Sequence, residues 1–265
     1  MKPRLLGYSE AQRILYVQAT AGFIPHTLGG WEIKLVHGPP NTTSILTRTA
    51  LEAKHGVTRA TAGILFSSGG ASYAVTVAHV LGAPWVNHTG KTVYVRAGST
   101  WLRGVVREQS RVERYTSRDY KRDDELWGRG IVSLTGENTS DAVLVELDGK
   151  PSIGWANNKW VGMLVAGSVA DNLSIVLPLR NLPFTLPGIE DRLYDPRPGD
   201  LVYKEGITTG GTCGRVEAVD AKMIVSYCCG EAVFKDAIVV RGLPGRVFSR
   251  PGDSGSIVVL GDGLC

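Results

Sequence analysis

From Thr61 onward the chain reads as short apolar or alternating runs separated by glycine-rich turns. Ala62-Gly63-Ile64-Leu65-Phe66 predicts a buried strand, Ser67-Ser68-Gly69-Gly70 a turn, and residues 71–77 the returning strand. Further strands are predicted at 92–96, 102–107 and 141–147, then at 201–204, 214–219, 223–227, 237–240 and 256–260. The first fifty or so residues are less regular. Residues 14–17 and 31–36 have strand character, and Leu46 to His55 predicts a short helix ending before Gly56. Between Glu108 and Arg129 charges of both signs follow no steady period, which predicts a solvated loop. Residues 151–197, with several prolines and turn residues, read as a connection between two β clusters. Many short strands with few good helices place the chain in the all-β class, as a sandwich or barrel.

Composition narrows the picture modestly. At 265 residues, with 43% hydrophobic and 20% charged residues, the chain can bury a substantial core and is not broadly disordered. A net charge of +4 with acidic residues interspersed gives no reason to expect a nucleic-acid partner. No apolar run is long enough to span a bilayer, so no membrane partner is expected, and no apolar segment follows the basic residues near Met1. That favours an intracellular protein. Cys213, Cys228, Cys229 and Cys265 lack zinc-site spacing. A bridge from Cys213 to Cys228 or Cys229 is conceivable across a hairpin, but free, buried thiols are the favoured reading.

Three segments carry candidate chemistry, each weak alone. Thr76-Val77-Ala78-His79 ends a small, apolar strand on a histidine. Asp141-Ala142-Val143-Leu144-Val145 opens an apolar strand with a carboxylate. Pro251-Gly252-Asp253-Ser254-Gly255-Ser256 puts a serine in a tight, glycine-flanked turn before a final apolar strand. Separately they describe a strand-end His, a strand-start Asp and a surface turn. Together they supply a nucleophile, a base and a carboxylate to orient the base.

These segments resemble the Thr-Ala-Ala-His, Asp-Ile-Ala-Leu-Leu and Gly-Asp-Ser-Gly-Gly motifs of the chymotrypsin-like (trypsin-like) serine peptidases, in that family's chain order. Lys204-Glu205-Gly206-Ile207-Thr208-Thr209-Gly210 with Gly214-Arg215-Val216 resembles a second-barrel hairpin of bacterial and fungal members. The resemblance covers about residues 61–265 and implies a double six-stranded-type β-barrel. Residues 1–58 would be an N-terminal extension, 59–150 the first barrel, and 151–265 the connection and second barrel. It implies a serine endopeptidase acting on protein or peptide substrates without metal or organic cofactor. His79, Asp141 and Ser254 would be catalytic, the N–H groups of Gly252 and Ser254 would form the oxyanion hole, and Phe248 would line the specificity pocket. Asp253 would pair with a positive group, such as an Arg, to hold the oxyanion loop open.

The sequence departs from the family pattern in four places: Val80 stands where the family usually has a Cys after His, no clear activation site is visible, and two further departures bear on the substrate pocket. After the nucleophile the family continues with a strand that binds the substrate backbone and walls the pocket, whereas Cys265 follows Ser254 closely. Another segment substitutes for that strand, or the second barrel is incomplete in a fragment or self-cleaved form. No acid stands near Phe248-Ser249-Arg250, so a strong preference for Lys or Arg is not expected. The competing readings are a catalytically impaired protease-like domain acting as a binding or regulatory module, and a structural β protein in which the three residues never meet.

Overall fold

The computed structural model describes residues 3–19, 25–38, 51–53, 60–97, 100–149 and 158–265. In chain order its strands are β1 (Arg4–Ser9), β2 (Ile14–Gln18), β3 (Thr27–Leu28), β4 (Trp31–Val36), β5 (Leu51–Ala53), β6 (Ile64–Ser68), β7 (Ala71–Thr76), β8 (Thr92–Ala97), β9 (Thr100–Gln109) and β10 (Val143–Leu147). They continue with β11 (Trp160–Ser168), β12 (Leu173–Pro178), β13 (Leu201–Gly206), β14 (Gly210–Tyr227), β15 (Gly230–Gly242) and β16 (Ile257–Leu260). A helix, α1 (Ser117–Gly128), separates β9 from β10.

The strands form two sheets, as the all-β expectation requires. The smaller has six strands in the order β5-β8-β9-β10-β7-β6. The larger has ten, in the order β13-β16-β11-β12-β15-β14-β1-β2-β4-β3, with β13 also paired to β14. The pairings of β13, β16, β11, β12, β15 and β14 therefore run in a ring, and β1 to β4 extend it from the outer edge of β14. Inward positions are filled by branched and aromatic side chains such as Leu15, Val75, Val145, Ile175, Val225 and Phe234, all fully buried. That arrangement fits the two-barrel architecture of the chymotrypsin-like fold.

Several local expectations change. Residues 51–53 form strand β5 where a helix was expected, and the rest of that predicted helix lies outside the described residues. The charged stretch expected to be a loop contains α1, opened by a capping box in which Thr116 and Asp119 satisfy each other's N–H groups. Only Asp123 of this helix is buried, so it shows no broad apolar stripe to the eye. The expected connection over 151–197 contains β11 and β12, both almost wholly buried members of the larger sheet. Their apolar runs are continuous because both faces are covered, and flanking turn residues hid them.

The cysteine expectation is also corrected. Cys213 on β14 bridges to Cys265, with Cα atoms 5.8 Å apart, and Cys228 and Cys229 are free but exposed. The bridge follows from topology. β16 pairs with β13 and the Gly261 N–H bonds the Leu201 carbonyl, so the segment after β16 runs beside the β13–β14 hairpin that carries Cys213.

Candidate active site

Strand pairing brings His79 to Asp141. β7 and β10 are antiparallel with Thr76 opposite Val143, so the segment leaving β7 meets the segment entering β10. His79 sits in a single 3-10 turn, Ala78–Leu81, directly after β7. Its Nδ1 lies 2.6 Å from Asp141 Oδ2. The Ala78 N–H donates to Asp141 Oδ1 at 3.1 Å and also faces the Asp141 carbonyl at 3.2 Å, locking the two segments together. Asp141 is fully buried. A buried ionised carboxylate against Nδ1 fixes the proton there and leaves Nε2 able to accept one. The Tyr227 hydroxyl, from the end of β14, also donates to Asp141 Oδ2 at 3.1 Å. Burial, reinforced by the Asp141 charge, pushes the Tyr227 phenol well above its ordinary range, so it stays a donor.

Ser254 lies in the turn between β15 and β16, and this turn is seated on the smaller sheet. The Thr61 N–H donates to the Ser254 carbonyl at 2.9 Å, and Thr76 Oγ1 donates to the Thr61 carbonyl at 2.8 Å. Thr76 is three residues before His79, so the Ser254 turn and the histidine share one junction between the sheets. Gly255 makes the close approach possible. It has φ +91°, and a Cβ there would stand 2.2 Å from the Thr61 carbonyl oxygen. Among the described residues the Ser254 hydroxyl bonds the Val165 carbonyl at 3.0 Å rather than His79. The N–H groups of Gly252 and Ser254 have no hydrogen-bond partner among the described residues, whereas those of Asp253, Gly255 and Ser256 are all satisfied by backbone carbonyls.

Asp253 anchors the turn from inside. Its Oδ1 accepts the N–H groups of Thr208 and Thr209, and its Oδ2 accepts the Arg250 N–H and the Thr209 hydroxyl. The positive partner is Lys204, with Nζ 3.1 Å from Oδ2, where an Arg had been expected. Lys204 sits on β13, beside β16, and its stem is packed within the larger sheet.

The strand that lies against the Ser254 turn comes from earlier in the chain. β11 runs beside β16 and contacts the turn directly. The Gly255 N–H donates to the Leu164 carbonyl at 2.8 Å, and the Leu164 N–H to the Ser256 carbonyl at 2.9 Å. Phe248, expected at the specificity pocket, is fully buried in a core with Val161, Leu164, Val202 and Val258, and its backbone is held by Asn172 and Thr212. The neighbouring Ser249 faces Ser174 at 2.6 Å, and a Cβ on Gly167 would stand 2.3 Å from its hydroxyl. Lys204, Tyr227 and β11 had no local signal as site residues, because each comes into place only through long-range pairing.

No family model matches the chain, and no curated protein matches it. Among solved structures it is similar to Thermobifida fusca Protease A, at 15% identity over 83% of this chain and 78% of that one, with a TM-score of 0.40. It is similar to Nocardiopsis Protease at 17% identity over 83% and 79%, with a TM-score of 0.39. A third is Cellulomonas bogoriensis chymotrypsin, at 16% identity over 84% and 79% with a TM-score of 0.37. These likenesses, at 15–17% identity, are ones of fold alone.

Proposed function

We propose that the chain is a serine endopeptidase in which Ser254, His79 and Asp141 form the catalytic triad. The observation that carries this reading is the buried Asp141 carboxylate holding His79 Nδ1 at 2.6 Å, at the junction where the Ser254 turn is seated. In the reaction the Ser254 hydroxyl leaves Val165 and bonds His79 Nε2. Oγ attacks the scissile carbonyl carbon as His79 takes its proton. The oxyanion is received by the unengaged N–H groups of Gly252 and Ser254. The C–N bond then breaks as His79 returns the proton to the leaving amine, and water hydrolyses the acyl-enzyme by the same sequence. Asp141 orients His79 and stabilises its imidazolium without itself becoming protonated.

β11 supports the substrate side of this reading. It stands beside the Ser254 turn, with Leu164 bonded to Gly255 and Ser256 and the Val165 carbonyl to Ser254, so an extended peptide backbone reaching Ser254 would pass beside Val165. Gly167, Ser174 and Ser249, which lie together at the end of β11, are small and uncharged, consistent with no strong preference for Lys or Arg. One observation favours the alternative of an idle, peptide-binding module: the Ser254 hydroxyl is engaged by Val165.

Labelling with a fluorophosphonate probe separates the two. The wild-type chain is expected to be labelled and to hydrolyse peptides, and Ser254→Ala to lose both while melting at nearly the same temperature. A folded wild-type chain that takes no label would sink the peptidase reading and favour the binding module.

A further inference from the structure

We propose that the Tyr227 hydroxyl is a positioning residue of the candidate triad, holding the Asp141 carboxylate against His79 from the opposite sheet. This rests on the peptidase reading for its catalytic meaning, though not for its physical test. Asp141 is fully buried, and a carboxylate in that setting is costly unless its oxygens are satisfied. Oδ1 receives the Ala78 N–H, while Oδ2 receives His79 and Tyr227 together. Without the phenol, Oδ2 would answer to His79 alone.

The phenol is placed by a long reach. β14 and β15 form a hairpin whose near half pairs within the ring of the larger sheet, while its far half projects towards the smaller one. The tip is fixed from several directions. The Tyr115 N–H donates to the Glu231 carbonyl at 2.8 Å, and Arg4 pairs with the Glu231 carboxylate at 2.6 Å. The Lys235 N–H donates to the Asn138 carbonyl at 2.8 Å. The Tyr227 ring meets His79 and Trp85 edge-on, with centroids 5.5 Å and 5.9 Å away. So pinned, the hydroxyl has no freedom to follow a carboxylate that rotates, and it opposes that rotation.

Each donor also draws charge away from the face of Asp141 that His79 sees. Removing the hydroxyl leaves Asp141 Oδ2 with His79 as its one remaining side-chain partner, so the field that His79 Nδ1 meets changes with it. The other titratable or charged groups around the pair are His88, near Asp141, Cys228 and Cys229 at the hairpin tip, and Arg114, stacked over Trp85. All of them are unchanged by the substitution Tyr227→Phe, which keeps the ring and its packing.

The experiment follows the His79 imidazole by nitrogen-15 NMR across pH in the wild-type chain and in Tyr227→Phe, with fluorophosphonate labelling rates measured on both. In Tyr227→Phe the pH profile of the His79 ring nitrogens is expected to differ from that of the wild-type chain. The labelling rate is expected to fall roughly 10- to 100-fold, as for loss of one hydrogen bond to a charged group. Identical His79 titration in the two proteins would overturn the inference whether or not either is labelled. A wild-type chain that is not labelled, but whose His79 titration responds to the substitution, would overturn the peptidase reading and leave the Tyr227–Asp141 coupling standing.

Discussion

Lys204 and Asp253 meet as a buried ion pair, with Nζ 3.1 Å from Oδ2 and neither side chain exposed. Burial pushes the Lys204 ammonium below its ordinary range, and the Asp253 charge works against that shift. Such a pair is expensive to bury but more expensive to break, because breaking it strands one charge. Here the surviving charge would be the carboxylate that anchors the Ser254 turn through Thr208, Thr209 and Arg250. Lys204→Met is therefore expected to destabilise the chain by about 3–5 kcal/mol in urea unfolding. It should also abolish fluorophosphonate labelling under conditions where the variant is still folded. Unchanged labelling would mean that the turn keeps its shape without the lysine.

The seat of the turn gives a second expectation. A Cβ at Gly255 would stand 2.2 Å from the Thr61 carbonyl oxygen and 2.5 Å from Thr76 Oγ1, at a φ of +91°. Gly255→Ala must push the turn off the smaller sheet, and labelling is expected to fall at least about 100-fold with a stability loss of about 1–3 kcal/mol. Gly69 is the control: it too has positive φ, but nothing lies within 4 Å of its Cβ position. Gly69→Ala should destabilise by about 1 kcal/mol and leave labelling intact. Equal effects on labelling would show that Gly255 matters only through its backbone angle.

How much of this was legible in the chain divides along locality. His79 and Asp141 each end or begin an apolar strand, and Ser254 sits in a glycine-flanked turn, so each carries its own local signature. Lys204 looked like an ordinary strand lysine and Tyr227 like an ordinary strand aromatic. Their partners, Asp253 and Asp141, are 49 and 86 residues away. β11 was hidden for a different reason: its run from Trp160 to Ser168 follows a proline-containing stretch, and its place beside β16 depends on pairing across most of the larger sheet. The helix α1 was legible after all, in Thr116 and Asp119 at capping-box spacing, but its charged residues outweighed that cue.

The Cys213–Cys265 bridge closes a sequence separation of 52 residues that contains most of β14, then β15, the Ser254 turn and β16. In the chain-entropy picture a loop of that length stabilises by about 4 kcal/mol, with less realised where the unfolded state is already compact. Cys213→Ser is expected to lower the urea midpoint by an amount equivalent to about 2–4 kcal/mol. Cys228→Ser, at an exposed and unbridged position, should lower it by less than about 0.5 kcal/mol. Peptide mapping without reductant should recover Cys213 joined to Cys265. Recovery of Cys213 joined to Cys228 or Cys229 would show that the topology drawn for the chain's last residues is wrong.

Acid stability should report on how the first strands are joined to the larger sheet. Glu217 on β14 accepts from the Tyr16 hydroxyl at 3.0 Å and pairs with Arg241 on β15 and with Lys34 on β4 at 3.1 Å. Burial alone would raise its carboxyl pKa, but the bonds and charges of Arg241 and Lys34 outweigh burial and hold it below the ordinary value. A carboxyl lowered in the folded state contributes stability that is fully present above the unfolded-state pKa, about 4.3, and is lost as pH falls through the folded one. Glu217→Gln should therefore cost about 1–3 kcal/mol at pH 7, and progressively less at pH 4 and below, as the wild-type carboxylate itself becomes protonated. Urea unfolding of both proteins at several pH values measures this directly. A difference that stays constant from pH 7 to pH 3 would mean that Glu217 acts through shape and hydrogen bonding alone, and that its charge does not tie β2 and β4 to the β14–β15 hairpin.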